Sequence, residues 1–255
     1  MLSMIFSSAL PVLAAVFFIL WIYSIIIDDV SFIDAFWSLG FLIAASAVYI
    51  NVPGPSYTAH IIMGMTALWA LRLGWHLWVR WRAHGADKRY LKILGDRQGL
   101  RRHIFTLWFV FGLQGALILV IVTPIVATLH DNPDVIPVTA YLGLVVFSIG
   151  FLFEAIGDYQ LKQFRHDPNN QGKVLDTGLW RYTRHPNYFG DACVWWGLWL
   201  ISADLTVIFA PLLMTFILVK WSGKPLLERG LKQTRPDYND YIERTSGFIP
   251  MPPKQ

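Results

Sequence analysis

From Gly178 the chain reads Gly-Leu-Trp-Arg-Tyr-Thr-Arg-His-Pro-Asn-Tyr-Phe-Gly-Asp, a dense run of groups that bind anions and move protons. Arg181, Arg184 and His185 can hold phosphate, an arginine fork making bidentate contacts. Pro186 suits the first turn of a helix, so Asn187 to Asp191 would open one with exposed backbone N–H groups aimed at the same ligand. Asn187 and Asp191, four residues apart, share a face of that helix. Gly190 between them would let the ligand or another helix approach closely.

Further charges lie inside apolar stretches, where each costs ~2.5–3.5 kcal/mol at a helix centre on insertion scales and needs a partner or a wet cavity. Arg72, His76 and Arg80 fall at i, i+4 and i+8 on one helix face. Glu154, Asp158, Lys162 and Arg165 follow spacings of four, four and three on another. Asp34 reads as a lone carboxylate. Arg80 and Lys162 can equally snorkel to the headgroups, and Arg72 can pair with Glu154 or Asp34 to hold helices together. Trp195, Trp196 and Trp199 are close enough in sequence to Asp191 to wall a flat ligand, although core packing suits any one of them as well.

The elements that must position these groups are membrane helices. With 55% hydrophobic residues among 255 and a mean hydropathy of +0.45, the chain is too apolar for an ordinary soluble domain of this length. The expected fold is all-α, a polytopic integral membrane protein of about seven spans at 4–27, 33–51, 59–80, 104–129, 137–157, 187–203 and 205–221. Arg and Lys crowd 82–103, 158–186 and the tail after Lys220, while 52–58, 130–136 and 202–204 contain neither, which predicts N-out, C-in topology. The net charge of +4 follows from those loops, so no nucleic-acid partner is expected. One cysteine, Cys193, excludes an internal disulfide framework and a Cys-rich metal site, and no metal is expected. Residues 1–255 read as one membrane domain.

Arg184-His185-Pro186-Asn187-Tyr188-Phe189-Gly190-Asp191 resembles the signature of sterol reductases and the steroid 5α-reductase superfamily, bacterial members included. The likeness extends over roughly 150–200 through Asp158-Tyr159, Arg165, Lys173, Gly178-Leu179 and Tyr182, and Tyr238, Tyr241 and Phe248-Ile249-Pro250 fit the family's ending. The resemblance implies a seven-helix, NADPH-dependent reductase of activated carbon–carbon double bonds in enones or sterol-like lipids, in a bacterial inner membrane. It also implies that 1–130 form a substrate pocket for a hydrophobic small molecule among membrane lipids and that 137–255 form a cofactor site. It makes Asp158, Arg165, Lys173, Tyr182, Arg184, His185, Asn187 and Asp191 cofactor-binding candidates. Asp191 would also serve a proton relay. Where the steroid enzymes carry a Gln-Glu pair and a tyrosine, this chain offers Asp34 and Arg72 as catalytic candidates, with Tyr90 a further acid. The competing resemblance is to SAM-dependent isoprenylcysteine carboxyl and phospholipid methyltransferases, which share Arg-His-Pro-x-Tyr-x-Gly and a later glutamate, here Glu228 near Tyr238 and Tyr241. A transporter or assembly role, built on Arg72, Glu154 and Asp158, is the third reading.

Overall fold

The structure is a computed structural model that describes residues 1–221 and 223–254, all of them in helices, turns or irregular segments. They divide into two compact units, Met1–Pro137 with Ser202–Val207, and Val138–Ile201 with Ile208–Gln255. Among the described residues, four helices are long and apolar enough to cross a membrane: Leu2–Ile27 (α1), Gly99–Ile121 (α5), Val138–His166 and Leu205–Thr234. Ile33–Tyr49 (α2) is apolar but only 17 residues long.

In the first unit, α2 pairs with Tyr57–His84 (α3), whose N-terminus is capped by Ser56 accepting from the Ala59 N–H at 3.2 Å. The 28 residues of α3 rise about 42 Å, longer than a bilayer core is thick. Trp21 pins α1 to α5 by donating its indole N–H to His103 O at 3.0 Å. A short helix, Lys88–Leu94 (α4), lies between α3 and α5 in sequence.

The expected single span at 104–129 is broken. α5 ends at Ile121, and Thr123–Asp131 (α6) starts afresh with Pro124 in its first turn. Pro124 has no N–H to give the Val120 carbonyl four residues back. The Thr123 hydroxyl donates to that carbonyl instead, at 2.9 Å, and satisfies it at the break.

The second unit is built on a crossing of Val138–His166 (α7) with Pro186–Ser202 (α8). Gly143, Gly150 and Gly157 recur every seven residues and so form one stripe along α7. A Cβ at Gly150 would stand 2.6 Å from Gly190 O, and one at Gly143 would stand 2.7 Å from Gly197 O. The two backbones therefore touch, as small residues allow in membrane helix pairs. Gly190 meets the α7 backbone, the second of the two uses its absent side chain suggested. This contact carries the α7 carboxylates up against the start of α8. The remaining elements are Phe209–Phe216 (α9), which continues as a π-helical turn through Trp221, then Lys224–Thr234 (α10) and Tyr238–Arg244 (α11).

Candidate functional site

The segment entering α8 is held from two sides within the second unit. From α7, Gln160 accepts from the Leu179 N–H at 3.0 Å, and Gly157 O accepts from the Trp180 indole at 3.1 Å. From the tail, Phe248 O accepts from the Thr183 hydroxyl at 2.8 Å and Ser246 O from the Arg184 N–H at 2.9 Å. The Tyr241 hydroxyl donates to Trp180 O at 2.5 Å. Tyr182 is exposed, and its carbonyl accepts from the Met251 N–H at 3.0 Å.

Arg184 is the centre of this clasp. Its Nε donates to Glu228 at 2.9 Å, and its Nη1 donates to Ile242 O at 3.1 Å and Thr245 O at 2.5 Å. The side chains of Arg184 and Glu228 are 7% and 14% exposed, so a buried guanidinium meets a half-buried carboxylate, with the guanidinium's other hydrogen bonds going to carbonyls. His185 Nε2 lies 3.1 Å from the same Glu228 oxygen, and its ring stacks on Tyr188 at 5.3 Å between centroids. A carboxylate only accepts, so Nε2 carries the hydrogen and Nδ1 is the basic nitrogen. Burial pushes the His185 pKa below its usual value, and Arg184 and Lys224 add to that against the opposing pull of Glu228. Burial, reinforced by the Glu228 charge, raises the Tyr238 pKa; burial and then Tyr238 raise that of Tyr241. Both stay phenols. The arginine and histidine expected to hold phosphate thus make protein contacts that fix the motif's shape.

The second cluster lies where α7 meets α8. Glu154, Asp158 and Asp191 are buried, and Asn187 donates its amide to Asp158 Oδ1 at 3.0 Å. The Asn187 carbonyl oxygen accepts from the Tyr188 N–H at 3.1 Å, which fixes the orientation of the amide. Asp191 follows one turn along α8. Arg165, on the last turn of α7, and Lys173, in the loop after it, are exposed. Arg235 ties that loop to the tail by donating to Lys173 O at 3.0 Å, and Arg244 pairs with Asp176 at 2.6 Å. One unit therefore carries buried carboxylates with an amide beside them, and cations where the same helix runs out into the loop.

The first unit holds a polar cluster of its own, and Asp34 belongs to it instead of standing alone. The Tyr90 hydroxyl donates to Asp34 Oδ1 at 2.5 Å, and Arg89 Nη2 donates to Asp34 Oδ2 at 2.8 Å. Gln114 donates to the Tyr90 oxygen at 3.2 Å. Asp87 caps α4 by accepting from the Arg89 N–H at 2.8 Å, which sets Arg89 and Tyr90 in the helix's first turn, beside Asp34. Burial first, then the Asp34 charge, raises the Tyr90 pKa, so the phenol keeps its proton. Burial opposes ionisation of Asp87, but hydrogen bonds from Arg89 outweigh it and lower the pKa. Arg72 and His76 stand one turn apart on α3. Arg89 and Gln114 did not stand out in the sequence; the Asp87 cap was the one local sign that Tyr90 and its neighbour would share a helical turn.

The family described as "Protein of unknown function (DUF1295)" matches residues 20–245. "Uncharacterized protein C594.04c" of Schizosaccharomyces pombe is 22% identical over 269 residues, covering 91% of this chain and 76% of the yeast protein. "Probable O-methyltransferase ustE" of Ustilaginoidea virens is 29% identical over 82 residues, covering 32% of this chain and 28% of that protein. No solved structure matches. Both relatives are fungal and lend no support to a bacterial inner membrane.

Proposed function

The chain belongs to the DUF1295 family, and from that premise we propose a membrane-embedded, NADPH-dependent reductase of an activated carbon–carbon double bond in a lipid-soluble, enone or sterol-like substrate. We extend the four apolar spans to seven crossings, with the basic loops and the C-terminus on the cytoplasmic side.

The observation that carries this reading is the division of charge along α7. Asp158, buried and bonded to Asn187, lies seven residues before exposed Arg165, about 10 Å along the helix. NADPH fits such a gradient, because it is anionic at its phosphates and presents ribose hydroxyls and a carboxamide elsewhere. Asp158 and Asn187 would hold hydroxyl or amide groups, Arg165 and Lys173 phosphate oxygens, and Tyr182 the rim. Asp191 would lie by the nicotinamide or serve a proton relay near it. When bound, the cofactor supplies a hydride equivalent. Reduction also needs a proton and a group that stabilises negative charge on the substrate. In the first unit Asp34 and Arg72 are candidates for those tasks, and Tyr90 is a better acid than Arg72, because a guanidinium does not release its proton near neutral pH.

One observation favours a second reading. The match to a probable O-methyltransferase, together with Glu228 bridging Arg184 and His185, suits a SAM-dependent methyltransferase. SAM is cationic and carries no phosphate, so it would use the buried carboxylates and leave Arg165 and Lys173 without a ligand.

Calorimetry on detergent-purified full-length protein, with NADPH and SAM titrated separately, distinguishes the two. NADPH is expected to bind, and Asn187→Ala and Arg165→Ala each to weaken it by about tenfold or more, the loss of a hydrogen bond to a charged or fixed group. SAM binding without NADPH binding would transfer the site to methyl transfer. Native NADPH affinity in Asn187→Ala would remove that residue from the site.

A further inference from the structure

The geometry points to a binding site for an anionic phospholipid in the groove where α5 begins. This open groove, about 1020 Å³ in volume, is lined at one end by Asp96, Arg97, Gln98 and Arg101 and at the other by Ile104, Phe105, Trp108 and Phe109. Its volume is at the top of the ~300–1,000 Å³ range of small-molecule sites. It shares no residue with the candidate groups described above, and it does not depend on the reductase reading.

Two features select the ligand. First, the lining is graded along a helix that is itself apolar enough to cross a membrane: its guanidinium groups gather at the polar start of α5, and Trp108 and Phe109, 67% and 62% exposed, lie further in. A phospholipid has the same order, with charge at the head and apolar chains beneath. Second, the charged end is net cationic, with two guanidinium groups against the Asp96 carboxylate. Arg97 is already held in place, its guanidinium 4.1 Å from the Phe105 ring centroid and its Nη1 donating to Leu94 O at 3.0 Å. Its remaining donors, and those of exposed Arg101, suit the phosphodiester oxygens of a lipid head. Phe105 stacks on Phe109 at 4.7 Å, which forms a continuous aromatic wall from head level into the acyl region. A zwitterionic head brings an ammonium that two arginines repel, so an acidic lipid is preferred. The neighbouring Arg102 is occupied by Asp28 at 2.7 Å and lies outside the groove.

The test uses full-length protein in detergent, titrated with phosphatidylglycerol or phosphatidylcholine and read by native mass spectrometry. Phosphatidylglycerol is expected to be retained about tenfold more strongly than phosphatidylcholine, and the R97Q/R101Q double variant to abolish that preference. Because Arg97 also satisfies the Leu94 carbonyl, Arg101→Gln alone provides a second variant at an exposed position, with a loss of about half the preference on a logarithmic scale. Arg102→Gln should leave it unchanged. Equal retention of the two lipids, an equal loss in Arg102→Gln, or displacement of phosphatidylglycerol by millimolar inorganic phosphate would each overturn the assignment, the last by showing a site for free anions.

Discussion

Replacing Glu228 by alanine is expected to destabilise the second unit by roughly 3–5 kcal/mol, the range seen when one partner of a buried ion pair is removed and the other charge is left without it. That corresponds to a fall in Tm of roughly 6–20 °C for a chain of this size. Arg184 would remain buried beside the carbonyls of Ile242 and Thr245 with its counter-charge gone. Glu228→Gln, which keeps an acceptor but no charge, should fall between wild type and alanine. Acidification acts on the same group of residues. His185 has a folded-state pKa below its unfolded value of 6.5, so as pH falls the unfolded chain takes up this proton first. Its contribution is therefore complete above pH 6.5 and is lost as pH drops from there towards the lower folded value. Melting curves between pH 7.5 and 5.5 should show this loss, and His185→Gln should flatten that part of the profile. A Glu228→Ala protein with an unchanged Tm would rule out the ion pair as the clasp that holds the tail.

The second large effect concerns the α7–α8 crossing. Gly150→Leu would push a side chain into Gly190 O at 2.6 Å and Val194 N at 2.7 Å, both of them backbone atoms that no rotamer change can move. Overpacking a core typically costs ~1–3 kcal/mol when side chains can yield. Here only separation of the helices relieves the clash, and separation would also pull Asp158 away from Asn187. The variant is expected to lose most of its folded population in detergent, together with whatever ligand the second unit binds. Gly64→Ala on α3 is the contrast: nothing lies within 4 Å of its Cβ position, so better helix propensity should stabilise by about 0.5–1 kcal/mol. Size-exclusion profiles and melting curves of the two variants check both signs. A Gly150→Leu protein that melts like wild type would mean that the two backbones are not in contact in solution.

The features that sequence made legible are those carried by local pattern. Apolar runs located α1, α5, α7 and the start of the last long helix, because hydropathy acts residue by residue along the chain. The joint at Val122 was missed because Val120 to Ala127 is mostly apolar, and hydropathy does not register the N–H that Pro124 lacks. At the site, Asn187 beside Asp158 involved two residues already singled out, yet their meeting depends on Gly150 and Gly190, whose seven-residue partners looked like ordinary glycines. Arg184 has its observed partners far off in sequence. An arginine next to a histidine at a membrane boundary looks like an anion site, and the carboxylate that occupies it is 44 residues downstream on a separate helix. Asp34 likewise looked isolated because Arg89 and Tyr90 lie more than 50 residues away in sequence. Long-range pairing of polar groups has no period, so it leaves no trace for a window to find.

The clasp around Arg184 also sets an order of events during synthesis. The carbonyl of Thr245 that it binds lies 61 residues further along the chain, about 3–12 s later at translation rates of ~5–20 residues per second. Glu228 arrives earlier, but Ile242 and Thr245, whose carbonyls complete the arginine's set of partners, do not. For those seconds the nascent protein has α8 without its anchor and a guanidinium without its final partners. The Arg-His-Pro segment therefore reaches its finished shape only after Thr245 has been made, and a ribosome stalled shortly before that residue would present a chain with α8 formed but the second unit still open.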